Sequence, residues 1–188
     1  MDFRNKSNVR GMRNNNAGNL RPAKMLYQKQ IGLDSAGHAI FADMSDGLEY
    51  MLKDLIYKIS ERTPKLDTIS KFVSVYAPSS DGNNEAAYRK FLSAETGLKE
   101  NQTIPLNTAT LTKFANAIVA MEVGAINADK IPNEDYLKGY NVALNKYSLP
   151  PVKDKGAGTN NGLFIVSALA FAAFTYLVKR FKSRSRNV

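Results

Sequence analysis

The sequence of 188 residues contains no cysteine and a single histidine. Without cysteine there is no disulfide framework, no thiolate nucleophile and no cysteine-ligated metal site. One histidine leaves no His-rich metal cluster, and a Ser-His-Asp triad would need that residue alone. We therefore expect any chemistry to come from carboxylates, with no metal and no organic cofactor.

The composition is that of a globular protein, with 44% hydrophobic and 23% charged residues. It excludes a disordered or collagen-like chain, and the length suits one domain with a small appendage. The formal charge of +9 is concentrated at the ends. Residues 1–30 hold seven Lys/Arg and one acid, residues 179–188 hold five Lys/Arg and no acid, and the intervening chain is nearly neutral.

An apolar run near the C-terminus predicts a membrane-spanning helix. Residues 162–178 contain no charge and are followed by a basic tail, 179–188. At about 1.5 Å per residue the run covers about 25 Å, near the lower limit for a bilayer span. The alternative is a buried core helix, but five cations directly after it favour the membrane. Residues 149–161, rich in Pro, Gly and Asn, are interpreted as a flexible linker.

Residues 1–148, with a polar, basic N-terminal arm, are interpreted as one α+β domain that is mainly α. Apolar residues at helical spacing predict five helices, and a turn at 34–37 between two short apolar stretches predicts a β-hairpin. The predicted helices are 45–60, 67–76, 84–96, 107–123 and a last helix that begins at Pro132-Asn133.

Glu122 is the most informative acid of the sequence. It follows Leu111, Ala115 and Ile118 on one face of the predicted helix 107–123, so it projects from the apolar side. Desolvation and the negative end of the helix dipole both raise the pKa of a carboxyl placed there. A carboxyl that stays protonated near neutral pH is a suitable general acid for glycoside cleavage. Alternatively, Glu122 faces solvent or bonds to an arginine.

A second unusual segment, residues 10–21, combines three Arg, two Gly and a run of Asn. We predict a loop without an apolar face, and its Asn side chains and glycines suit a cleft that binds a sugar. The alternative is a solvated turn-rich loop. His38 and Glu49 are interpreted as structural, the latter as a helix-capping residue.

The segment Arg10-Gly-Met-Arg-Asn-Asn-Asn-Ala-Gly-Asn-Leu20 resembles the R-G-x-R-N-N-N-P-G-N-[IL] motif of a family of bacteriophage and prophage virion proteins. That family is described as virion structural or peptidoglycan-degrading, of lysozyme-like type. Weaker similarities follow in order at residues 32–41, 46–48, 76–78, 83–88 and 117–124. Ala17 replaces the family's Pro, Tyr76 its Trp, and His38 an aromatic residue.

The resemblance implies a lysozyme-like domain that acts on the bacterial cell wall. Together with the apolar run, it suggests a protein anchored in the membrane of a virion, and in the host membrane during assembly. Its partners would be peptidoglycan, the lipid bilayer and capsid proteins.

The first hypothesis is a muramidase or lytic transglycosylase that acts as the phage penetrates its host. Glu122 would be the acid, and Asn14, Asn15, Asn16 and Asn19 would line the cleft with Tyr76 as a stacking platform. If hydrolysis requires a second carboxylate, Asp34 and Asp43 are available. The second hypothesis is a non-catalytic protein that links membrane and capsid. A third has the basic tail contacting nucleic acid non-specifically.

Overall fold

The computed structural model describes residues 1–4, 6–22 and 27–153. Within these ranges the chain is mainly helical with one small antiparallel sheet, which confirms the α+β, mainly α prediction. The elements are α1 (Arg10–Arg13), β1 (Gln30–Leu33), β2 (Ala39–Phe41), α2 (Met44–Ser60), α3 (Ile69–Tyr76), α4 (Glu85–Thr96), α5 (Thr108–Val123), α6 (Ala125–Ala128) and α7 (Asn133–Lys146).

The five longer helices coincide with the five predicted ones because their ends are encoded locally. Thr68, Asn84 and Asn107 each accept a hydrogen bond from a backbone N–H in the first turn of the helix that follows. Such caps satisfy donors that have no partner within the helix. Gly97, with a φ of 76°, ends α4 in the left-handed conformation that glycine adopts readily.

The predicted hairpin is also present. β1 and β2 pair antiparallel, with Gly32 opposite Ile40 and Leu33 opposite Ala39. The Asp34 carboxylate closes the turn, since its Oδ1 accepts from the backbone N–H groups of Ala36 and His38 at 2.9 Å. The hairpin therefore depends on a side chain as well as on the strand ladder.

Helix α5 runs through the centre of the domain and is buried on nearly all sides from Phe114 to Ala120. Helix α2 packs along α7, and the two backbones approach closely at Gly139, where an added Cβ would lie 2.4 Å from the carbonyl oxygen of Ser45. The largest fully buried side chains include Tyr136, Tyr140, Phe41, Phe72, Phe114, Met12 and Met44.

The prediction for residues 10–21 is wrong in two respects. Residues 10–13 form a helical turn, α1, and the segment does bury apolar side chains. Met12, Ala17 and Leu20 are at most 4% exposed. Their irregular spacing has no helical or strand period, so the sequence pattern did not reveal an apolar face.

The apolar run 162–178 and the basic tail 179–188 lie outside the described residues. Across the ranges that are described, every helix is too short or too polar to span a bilayer. The start of the predicted linker lies against the domain: the Thr108 hydroxyl donates to the Pro150 carbonyl, and the backbone N–H of Val152 donates to Asn141 at 2.7 Å.

The loop that follows α1 packs backbone against backbone on the first turn of α2. A Cβ added to Gly47 would lie 1.9 Å from the carbonyl oxygen of Asn15, which is too short for any real contact. Because that oxygen belongs to a buried main chain, it cannot move aside as the end of a flexible side chain would. Gly47 is therefore required for the loop to reach its position.

We expect Gly47→Ala to lower the free energy of unfolding by about 2–4 kcal/mol, because the clash outweighs the usual helix-stabilising effect of alanine. Thermal and urea denaturation followed by circular dichroism measure the change. Gly32→Ala is the matched control, since the nearest heavy atom to its added Cβ lies 3.9 Å away. Equal stability of the two variants would contradict this account of the loop.

Candidate active site around Glu122

Helix α5 carries Glu122 on its last turn. The side chains of Leu111, Ala115 and Ile118, which precede Glu122 on the same face, are all fully buried. The helix ends at Gly124, whose φ of 82° and ψ of 144° leave the helical region. Glu122 therefore emerges where the buried row reaches the surface, and it is partly exposed.

Two neutral side chains hold the Glu122 carboxyl. The side-chain amide of Asn19 donates from Nδ2 to Oε2 at 2.8 Å, and the Tyr88 hydroxyl donates to Oε1 at 3.0 Å. Burial raises the pKa of Glu122, while the two hydrogen bonds act in the opposite direction. Among the described residues no cation pairs with Glu122, so nothing there compensates its charge directly.

The other side of this contact is the loop at residues 17–20. Asn19 has a φ of 48°, a left-handed conformation that Asn tolerates better than most residues. Gly18 lies against Met51 of α2, and its carbonyl oxygen accepts a hydrogen bond from the Tyr76 hydroxyl. Helices α2 and α3 thus both fix the loop that presents Asn19 to Glu122.

Aromatic side chains form the wall next to Glu122. Tyr76 stacks on Phe72 with ring centroids 4.9 Å apart and meets Tyr88 edge-on at 6.4 Å. The Lys58 ammonium lies 5.6 Å from the centre of the Tyr76 ring. Burial, followed by the charge of Glu122, raises the pKa of both tyrosines well above the ordinary value, so both remain neutral. The Tyr76 ring is largely occupied by protein neighbours, and its role as a sugar-stacking platform stays a prediction.

The structure separates the predicted loop asparagines. Asn19 reaches Glu122, whereas Asn14, Asn15 and Asn16 are at most 3% exposed. The Asn15 amide donates to the carbonyls of Phe41 and Ala42, and that of Asn16 donates to those of Leu20 and Ala39. These positions do not form a wall that a ligand could touch, which differs from the predicted cleft lining. The physical reason is that an irregular, buried loop needs side-chain partners for main-chain carbonyls.

Asp34, one of the two predicted second carboxylates, is bound to its own hairpin. It accepts from Asn14 Nδ2 at 2.9 Å and from two backbone N–H groups, and His38 Nδ1 lies 3.4 Å away. Burial opposes its charge, but the hydrogen bonds prevail and lower the pKa of Asp34 below the ordinary value. Asp43, the other, directly precedes α2 and makes no side-chain cap.

His38 is buried and structural in this fold, as predicted from its isolation. Its Nε2 accepts from Arg21 Nε at 3.1 Å, and burial together with the nearby arginines lowers the pKa of His38.

Glu49 does not cap α2. It is 2% exposed and forms ion pairs with Lys29, at 2.8 Å, and Lys53. The prediction of a capping role is wrong because Glu49 lies too far into the helix to reach the first N–H groups.

Tyr88 contacts the Glu122 carboxyl but is not among the residues predicted for the site. It lies on the buried face of α4 and is 5% exposed. A buried tyrosine hydroxyl needs a hydrogen-bond partner, and that requirement was the one signal in the sequence for a contact with a polar group.

Among the described residues, no group of three or more His, Asp or Glu side chains is arranged to hold a metal ion.

No known protein-family model matches this sequence, and a comparison with curated proteins finds no relative.

Because the pKa of Glu122 is raised in the folded state, the free energy of unfolding should depend on pH through this residue. A carboxyl that binds its proton more tightly in the folded state stabilises the fold below its unfolded pKa, and this contribution is lost as pH rises through the folded pKa. Glu122→Gln removes the ionisation and keeps acceptor and donor groups of similar size. We expect its stability relative to wild type to increase between pH 4 and pH 8 by on the order of 1 kcal/mol.

Glu61→Gln is the matched control, because Glu61 is exposed and directly follows the C-terminus of α2. Thermal denaturation of the three proteins across this pH range measures the difference. The interpretation fails if the Glu122 and Glu61 variants show the same dependence on pH.

Proposed function

We propose that this protein is a membrane-anchored, virion-associated enzyme that cleaves the glycan strands of peptidoglycan as a phage penetrates its host. Its domain would be a variant of the lysozyme-like type, with the apolar run 162–178 as the anchor. The observation that carries the proposal is the Glu122 carboxyl: it is desolvated enough for a raised pKa, bound by neutral groups, and still partly exposed.

In this proposal Glu122 is the general acid. Its proton passes to the glycosidic oxygen, and the bond from that oxygen to the anomeric carbon breaks with its electron pair on the oxygen. Glu122 is left as a carboxylate, which then accepts the hydrogen bonds of Asn19 and Tyr88. Both donors stabilise the negative charge that develops on Glu122, so they favour transfer of its proton to the glycosidic oxygen.

The route after this step depends on the nucleophile. Hydrogen bonds within the hairpin lower the pKa of Asp34 and occupy the lone pairs of its carboxylate. Asp34 therefore suits a structural role better than that of a nucleophile. A lytic transglycosylase needs no second carboxylate, because a hydroxyl of the same sugar closes on the anomeric carbon and returns its proton to Glu122. We favour this route over hydrolysis.

The alternative is a non-catalytic protein that links membrane and capsid. It predicts a Glu122 that is exposed or ion-paired. The observed hydrogen bonds to Asn19 and Tyr88 favour the enzyme, whereas the burial of Asn15 and Asn16 suits both functions because it serves the fold.

The test is digestion of purified peptidoglycan by the full chain in detergent, with products separated by mass spectrometry. We expect Glu122→Gln to lower the rate by about 10²–10⁴-fold, because it removes the only proton donor proposed for the leaving oxygen. Glu61→Gln should retain the wild-type rate. Anhydro-sugar ends identify a transglycosylase, and reducing ends identify a hydrolase.

Equal activity of wild type and Glu122→Gln would reject Glu122 as the acid. Complete absence of digestion by a folded wild-type chain would favour the structural alternative.

A further inference from the structure

The Asn19 side chain leaves one of its polar atoms without a partner. Nδ2 donates to Glu122, but Oδ1 is buried and finds no hydrogen-bond donor among the described residues. A buried acceptor without a donor costs free energy. The observed orientation of the amide therefore suits one charge state of Glu122, the carboxylate, which can only accept hydrogen bonds.

The surroundings of Oδ1 indicate what the opposite orientation would achieve. A Cβ added to Gly11 would lie 3.1 Å from the Asn16 carbonyl oxygen and 3.4 Å from Asn19 Oδ1. Val123 Cγ1 would lie 2.6 Å from the same Cβ, so the region that the two acceptor oxygens share is packed by an apolar side chain. If the amide turned over, its NH2 group would face this region, and Oδ1 would face Glu122.

The protonated form of Glu122 requires such an acceptor. Oε1 already accepts from the Tyr88 hydroxyl, so the proton belongs on Oε2, the oxygen next to Asn19. An Oε2–H group facing the Nδ2 donor would leave both groups as donors. An Oε2–H group facing Oδ1 would form a hydrogen bond and give Oδ1 its partner.

We propose that Asn19 is a positioning residue whose side-chain amide turns over with the protonation of Glu122, so that NH2 faces the carboxylate and Oδ1 faces the acid. This inference rests on the proposed function, since it explains how the acid keeps its proton before a sugar oxygen takes it. When the substrate takes the proton, the amide presents NH2 and stabilises the carboxylate that remains.

No other described group near Glu122 would change its charge together with Glu122. Tyr88 of α4 and Tyr76 of α3 are the titratable groups closest to it, and burial raises the pKa of each well above the ordinary value, so both stay neutral. The charged residues of α1 bond elsewhere, since Arg10 pairs with Asp34 and Arg13 donates to the Asn8 carbonyl. Asp129, which directly follows α6, is exposed.

The test is an NMR titration of the full chain in detergent micelles, with carboxyl-¹³C glutamate and ¹⁵N asparagine labels. We expect the Glu122 carboxyl signal and the Asn19 side-chain NH2 signals to shift with one common midpoint. Asn19 NH2 signals that stay constant while Glu122 titrates would overturn the proposal. This wild-type measurement needs no variant and no catalytic activity.

Asn19→Gly provides a second arm, because glycine tolerates the φ of 48°. Because an amide that turns over bonds to both forms of Glu122, we expect the midpoint to change by less than about 0.5 pH unit, whereas the loss of a fixed NH2 donor would raise it by about 1 pH unit. Ser148→Gly, at a φ of 55°, controls for the backbone change and should leave the midpoint unchanged. A midpoint that rises by about 1 pH unit or more in a folded Asn19→Gly variant would also overturn the proposal. Coupled titration without any digestion of peptidoglycan would reject the proposed function alone.

Discussion

Buried asparagine amides hold residues 14–20, which follow α1, in place, and the arrangement of the site depends on them. Asn15 and Asn16 are fully buried, and their amides bond to main-chain carbonyls of strand β2 and of Leu20. A chain with neither helix nor strand can be buried only if its polar groups find such partners. Because this segment is fixed, Asn19 reaches an acid that lies 103 positions later in the chain.

The Glu122 carboxyl at the end of α5 lowers the stability of the fold when it is ionised. A partly buried acid without a cation loses hydration, and two neutral hydrogen bonds compensate only part of that loss when it ionises. The fully buried acids are paired: Glu49 is held by Lys29 and Lys53, and Asp135 by the N-terminal ammonium. This contrast between the two glutamates supports the proposed role of Glu122, since acids whose pKa is raised by burial concentrate at functional sites.

Most of the helical framework could be predicted from the sequence, because amphipathic periods and end signals such as Asn107 and Gly97 act over a few residues. The position of Glu122 on the apolar face followed from the same period. The burial of Asn15 and Asn16 could not be predicted, because it depends on carbonyls of Phe41 and Ala39, which lie far along the chain. Tyr88 was missed for the same reason: its hydroxyl partner lies on another helix.

The burial of the asparagines changes what the resemblance to virion proteins means. If Asn14, Asn15 and Asn16 gripped a sugar, the motif itself would argue for an enzyme. Since their amides bond within the protein, the motif serves the fold of this loop, which suits a catalytic and a structural protein equally. Within the motif, the proposed chemistry therefore depends on Asn19, whose side chain contacts Glu122.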